Sequence, residues 1–152
     1  MPPEEAIRRI AACACGRLTA VCVGEPEKVS LCHCRQCRKR TGSAFGVAVF
    51  YSRDRVSASG PAGAYERASD SGQSVRFQFC RTCGSTLLWH PARTPARVAV
   101  AYGAFADQSF PAPTQAVFEA DGHVWARALA IKALAILGSP HHVPVGEGQL
   151  RP

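Results

Sequence analysis

The sequence has no long apolar run: its longest, "ALAIKALAIL" at Ala128–Leu137, is interrupted by Lys132 and falls well short of the roughly 20 residues that cross a bilayer. This excludes a membrane-spanning protein of the helical kind. The opening "MPPEEAIRRIAAC" puts acids first and has no apolar centre, so a secretory leader is not expected and the chain reads as cytoplasmic. Nothing repeats at long period, and no linker interrupts the 152 residues, which argues for one folded domain with a proper core. Acids are scarce: 11 Asp and Glu against 18 Lys and Arg give a net charge of +7. Such a balance suits an anionic partner, whether nucleic acid, membrane surface or small acidic molecule. Aromatic residues make up only 8% and are not interleaved with the bases, so the stacking pattern of a nucleic-acid binder is missing and that partner is not expected.

Helix signals are equally thin. Pro3–Ala12 could form two turns, with acids ahead of bases as the helix dipole prefers. Strand signals recur instead. "VRFQFC" (Val75–Cys80) alternates apolar and polar residues, while "RLTAVCV" (Arg17–Val23) and "FGVAVFY" (Phe45–Tyr51) are rich in small and branched apolar residues. "RVAVAYGAF" (Arg97–Phe105) and "AVFEADGHVWARA" (Ala116–Ala128) continue the series, the latter with Asp121-Gly122 as a hairpin turn. Ser57–Ser74 and Asp107–Gln115 read as loops, and Gly138–Pro152 as a loose tail. The expectation is a mainly β fold of short antiparallel strands.

Cysteine is the residue the chain has in excess. Cys22 stands alone within an expected strand and reads as a buried thiol. The other seven sit in short spacings: "CAC" (Cys13, Cys15), "CHCRQC" (Cys32, Cys34, Cys37) and "CRTC" (Cys80, Cys83). Such spacings suit metal better than disulfides in a reducing compartment, and they match no ferredoxin pattern. Zinc binds thiolates tetrahedrally; four close a site, and three leave a position for water or substrate. Seven thiols divide into Cys13, Cys15, Cys80 and Cys83 on one ion and Cys32, Cys34 and Cys37 on another. The rival is a single zinc ribbon built from Cys34, Cys37, Cys80 and Cys83. Arg35, Arg38, Lys39 and Arg40 surround the trio and either offset its charge or are simply solvated.

"CACGRL", "LCHCRQCRKRTGSAFG" and "FQFCRTCGSTLLW", in that order, resemble the three motifs of the glutathione-dependent formaldehyde-activating enzyme family, whose domain also occurs in centromere protein V. The resemblance runs from Ala11 to Arg127 and extends more weakly through "VAVAYGAFAD" and "HVWARA". It implies an N-terminal extension at 1–10, a zinc domain of the family's type at 11–137 and a tail at 138–152. It also implies a Mss4-like fold stapled by two zinc ions: a structural one on Cys13, Cys15, Cys80 and Cys83, and a catalytic or labile one on Cys32, Cys34 and Cys37. The implied activity is that of a carbon–sulfur lyase, joining glutathione and formaldehyde reversibly as an S-hydroxymethyl adduct. The alternative is a zinc-stapled binding module without catalysis, touching nucleic acid through its basic surface. His33 reads as a spacer turned outward, with proton transfer as its other possible role and His90 as a second candidate. Trp89 reads as core, and "TGSAFG" (Thr41–Gly46) as the loop closing the site.

Overall fold

The alternation at Val75–Cys80 becomes β7 (Ser74–Cys80) in the structure, a computed structural model that describes residues 6–69 and 72–127. Among these residues β1 (Arg8–Ala12), β2 (Thr19–Val23) and β5 (Val56–Ser59) form a three-stranded sheet in the order β1-β2-β5. A seven-stranded sheet takes β3 (Lys28–Cys32), β4 (Gly46–Ser52), β6 (Ala62–Ala68), β7, β8 (Thr86–Pro91), β9 (Arg97–Ala101) and β10 (Gln115–Val117). Its order is β10-β3-β4-β9-β8-β7-β6, antiparallel throughout except where β10 runs parallel to β3. The expected mainly β architecture is present. No helix among the described residues is long and apolar enough to cross a membrane.

Both faces of the large sheet are covered. On the inner face Val49, Tyr51, Cys80, Leu88, Val98 and Val100 pack against Ala11, Ala20 and Cys22 of the small sheet. Each large apolar side chain buried here contributes roughly 1.5–3 kcal/mol. Cys22 is fully buried, as its solitary position suggested. On the outer face Ala48, Phe77, Trp89 and Ala99 form a smaller cluster, joined by Phe50 and Val75. Beyond β3 the chain makes a short helix, α1 (Arg35–Thr41), whose Arg40 guanidinium lies 4.3 Å above the Trp89 ring. Burial on two sides explains why "GVAVFY" is nearly all apolar instead of alternating.

Three sequence expectations are corrected. The described part of Pro3–Ala12 is not helical: Arg8–Ala12 is β1, paired along its whole length with β2. A two-turn helix is too short to hold itself together, and burying Ala11 in a ladder wins. Ser57–Ser74 is not one loop but contains β5 and β6, separated at Gly60-Pro61. Its small residues carry little strand propensity, yet β6 makes seven consecutive pairs with β7. Gly63 there lies under the Phe79 ring, which a Cβ would meet at 2.5 Å. Asp121-Gly122 turns no hairpin: residues Glu119–Asp121 form a 3-10 turn and residues 124–127 are helical. Gly122 has an extended φ of −79°, and a Cβ on it would sit 2.6 Å from the His33 ring, so the glycine serves close packing. The expectations for 128–137 and for the tail lie outside the described residues.

Gly60 carries the chain from the small sheet to the large one at φ +120°, where a Cβ would be 2.0 Å from the Arg17 carbonyl oxygen. Gly60→Ala combines a left-handed conformation with a backbone collision, and should lower unfolding free energy by about 2 kcal/mol or more, measured by urea titration. A loss under ~0.5 kcal/mol would mean this crossover does not fix how the sheets meet.

Candidate metal centres

Cys13 and Cys15 lie just past β1, where the chain reverses: the Gly16 N–H donates to the Cys13 carbonyl at 2.9 Å and the Leu18 N–H to Cys13 Sγ at 3.2 Å. Cys80 ends β7 and Cys83 sits in the following turn, which the Gly84 N–H closes on the Cys80 carbonyl at 2.8 Å. Gly16 and Gly84 both have positive φ, 76° and 77°, which these tight reversals require. The two turns face each other. Cys13 and Cys15 sulfurs are 3.6 Å apart, Cys15 and Cys80 3.7 Å, and all four sulfurs including Cys83 lie within 4.8 Å of one another. A tetrahedron of sulfurs around an ion at about 2.3 Å has edges of about 3.8 Å, so the donor set and its size fit zinc. A disulfide would need sulfurs at about 2 Å, and all eight thiols are free.

The electrostatics of this cluster favour anionic sulfur at Cys83 and Cys80 and oppose it at Cys15. Hydrogen bonds from the Ser85 hydroxyl and backbone N–H hold Cys83 down at about 5, and the Cys83 N–H lowers Cys80. Cys15 accepts from the Arg17 N–H, but desolvation and its crowded neighbours Cys13, Cys83 and Cys80 leave it raised to about 11. Crowded sulfurs thus retain a proton that a cation would displace.

The second cluster is local. Cys32 ends β3, Cys34 caps α1 by accepting the Cys37 N–H at 3.3 Å, and Cys37 occupies the first turn. Their sulfurs lie within 4.8 Å of one another, and no fourth His, Cys, Asp or Glu among the described residues joins them. Cys32 pairs with Gly46 at the end of β4, in step with Ser30 and Ala48, and so faces the outer side of the large sheet. Cys80 faces the inner side, so the two clusters sit on opposite faces. Cys37 is held down at about 6, first by a hydrogen bond from Cys32, then by Cys34 and the Arg40 cation. Cys32, the donor to Cys37, is raised, and burial raises Cys34. The trio opens on a cleft of about 230 Å³ bordered by Arg67, Arg93, Gln36 and Phe118.

The seven thiols thus come together as four and three. Cys34 and Cys37 do not meet Cys80 and Cys83, and the single ribbon is not formed. Of the neighbouring bases, Arg35 and Lys39 are exposed, Arg38 approaches His123 at 3.3 Å, and only Arg40 reaches a sulfur. His33 turns away from the trio, but not into solvent. It is fully buried, edge-on to Phe45 at 6.0 Å and against Gly122, with its pKa lowered by burial. His90 borders a different cavity, with Arg53 and Gln78, and Trp89 is core as expected. Gly42, at φ 64°, ends α1, and the Thr41 hydroxyl donates to the Cys37 carbonyl at 2.9 Å, which returns the chain beside the trio. Arg67, Arg93, Gln36 and Phe118 have no signal in the sequence beyond the alternation of Gly63, Tyr65 and Arg67 along β6.

Two sheets with a closed set of four thiols and an open set of three define a cysteine-rich β protein with two candidate metal centres. Residues 8–121 match the family model described as "Glutathione-dependent formaldehyde-activating enzyme", and the chain belongs to that family. A Rhodobacter sphaeroides protein of known crystal structure shares the fold at a TM-score of 0.51 and 16% identity, over 71% of this chain and 99% of that one. No curated protein is similar enough to match.

The first cluster ties chain segments 65 positions apart, whereas the second spans six residues. Cys83→Ser should therefore cost much of the fold, since metal binding that closes such a tie adds directly to folding free energy. Cys37→Ser should leave circular dichroism intact and the melting temperature within roughly 5 °C of the parent. Equal unfolding of both variants would remove the distinction between the clusters.

Proposed function

We propose that the four-thiol cluster holds a structural zinc ion, and that the three-thiol cluster holds a second, exchangeable one at which glutathione or a similar thiol is joined reversibly to formaldehyde. The observation that carries this reading is the open trio: three convergent sulfurs, no fourth protein donor among the described residues, and a cleft leading to them. It is the arrangement of catalytic rather than structural sites. A zinc ion bound there would supply a Lewis acid that keeps a thiol ionised at neutral pH.

The chain's own contributions follow from its geometry. Cys34 and Cys37 are fixed by the first turn of α1 and Cys32 by the last β3 pairing, so the donor triangle is set before any ligand arrives. Arg40, wedged over Trp89 and beside Cys37, offsets the negative charge that three thiolates leave around a divalent cation. The cleft brings thiol and aldehyde together, and formaldehyde is electrophilic enough that proximity is most of what the reaction needs. Buried His33 does not line this cleft, which supports a packing role for it over proton transfer.

The test is an exchange measurement by NMR on formaldehyde and glutathione at neutral pH. Zinc-loaded protein should accelerate adduct formation and breakdown by on the order of 10²-fold, and Cys34→Ser should return the rate to that of buffer while the fold persists. A fully loaded protein that binds glutathione without acceleration would make it a thiol carrier and overturn the enzymatic reading.

A further inference from the structure

The cleft at the trio is smaller than the roughly 300–1,000 Å³ of most small-molecule sites, so a ligand larger than a minimal mercaptan must extend beyond it. A second cleft, of about 350 Å³, adjoins it on the outer face of the large sheet and is bordered by Lys39, Arg40, Tyr65, Phe77 and Phe79. Two residues border both clefts, Gln36 and Arg67. No acidic side chain among the described residues lines either one. Both ion pairs among the described residues, Arg9–Glu25 and Arg97–Glu27, lie elsewhere.

Arg67 is placed for a ligand in three respects. It projects from β6 over Phe77, its guanidinium carbon 5.2 Å from the ring centre, which holds the head of the side chain above the outer face of the sheet. Its one hydrogen bond among the described residues goes from Nη1 to the carbonyl of its own neighbour Ala68 at 3.1 Å, so most of the fork's donors have no partner among those residues. It also shares the Phe77 ring with Arg40, a second cation whose charge is already turned toward Cys37. Two guanidiniums around one ring repel each other, and a carboxylate between the clefts would relieve that repulsion. Arg67 also lies on the edge strand of the large sheet, where charge discourages pairing with other chains. That role asks only for a solvated charge, which exposed Glu66 beside it already provides.

We propose that Arg67 is the specificity-determining residue of the thiol site, receiving a carboxylate of a mercaptan whose sulfur lies at the trio, so that acidic thiols are selected over neutral ones. This rests on the thiol-binding reading given above. Bidentate recognition of a carboxylate is what an arginine fork does best, and Lys in its place keeps the charge but loses the geometry.

Calorimetric titration of the zinc-loaded full chain with glutathione and with its diethyl ester tests this, because the two share the thiol and differ in the carboxylates. Glutathione should bind at least about 10-fold more tightly, a difference of about 1.4 kcal/mol, and the margin should shrink as salt is raised. Arg67→Gln should reduce the ratio to about 2-fold or less while leaving the affinity for the ester unchanged, which also shows that the variant is folded. Arg67→Lys should restore part of the preference. Equal affinities in the parent protein, or an undiminished preference in Arg67→Gln, would overturn the assignment and leave thiol binding standing. Failure of both thiols to bind would overturn the two together.

Discussion

The meeting of Cys15 with Cys80 is the contact on which the rest of the molecule leans. Closing 65 residues costs about 4 kcal/mol of chain entropy on the logarithmic loop scale. Four converging sulfurs would offset that cost if a cation gathered them, because the binding free energy of an ion held there would enter the folding free energy directly. The tie also has a direction. It joins the end of β1, in the small sheet, to the end of β7, in the large one, and so clamps the sandwich at one rim. Gly60 serves the same junction, passing within touching distance of the Arg17 carbonyl just beyond Cys15.

The trio depends on that clamp only through the sheet. Its immediate supports are local: α1 has seven residues, too few to be stable alone, and is held by Cys34 at its start, Gly42 at its end and Arg40 against Trp89. On the far side of the chain, the His33 ring fills the space that Gly122 leaves by lacking a side chain, and the His33 backbone N–H donates to the Val117 carbonyl at 3.1 Å. That peg draws β10 and Phe118 to the cleft. Phe118 sits there half-exposed with φ 55°, a conformation that costs a side chain about 1 kcal/mol, and it is held because β10 before it and the Glu119–Asp121 turn after it leave no alternative.

What the sequence showed plainly was local. Cysteines separated by one or two residues announce shared donors whatever the fold around them, and Val75–Cys80 announces a strand because one of its faces is apolar. Partner-dependent features were silent. β6 is a strand because β7 lies beside it, and Gly63 and Ala64 have no extended preference to reveal in advance. Arg8–Ala12 carries helix-compatible residues, and only the ladder with β2 decides against them. Asp121-Gly122 has the composition of a hairpin turn, but its glycine answers to a histidine 89 positions away, a requirement that no local pattern records. Arg67 was hidden for the same reason: an arginine in an apparent loop becomes a cleft residue only once β6 is paired.

The eighth thiol shows why the trio remains a trio. A fourth sulfur would close the second cluster as it closes the first, and the chain has one to spare in Cys22. That residue faces inward from β2, fully buried between the sheets, and burial pushes its thiol up to about 11. The trio lies on the outer face of the other sheet, so a whole layer of backbone separates donor from site. Alternation along the strands therefore does two things at once. It places Cys80 inward to complete a closed cluster, and it places Cys32 outward with Arg67 and Phe77, beside a cleft that among the described residues is lined by cations and no acids.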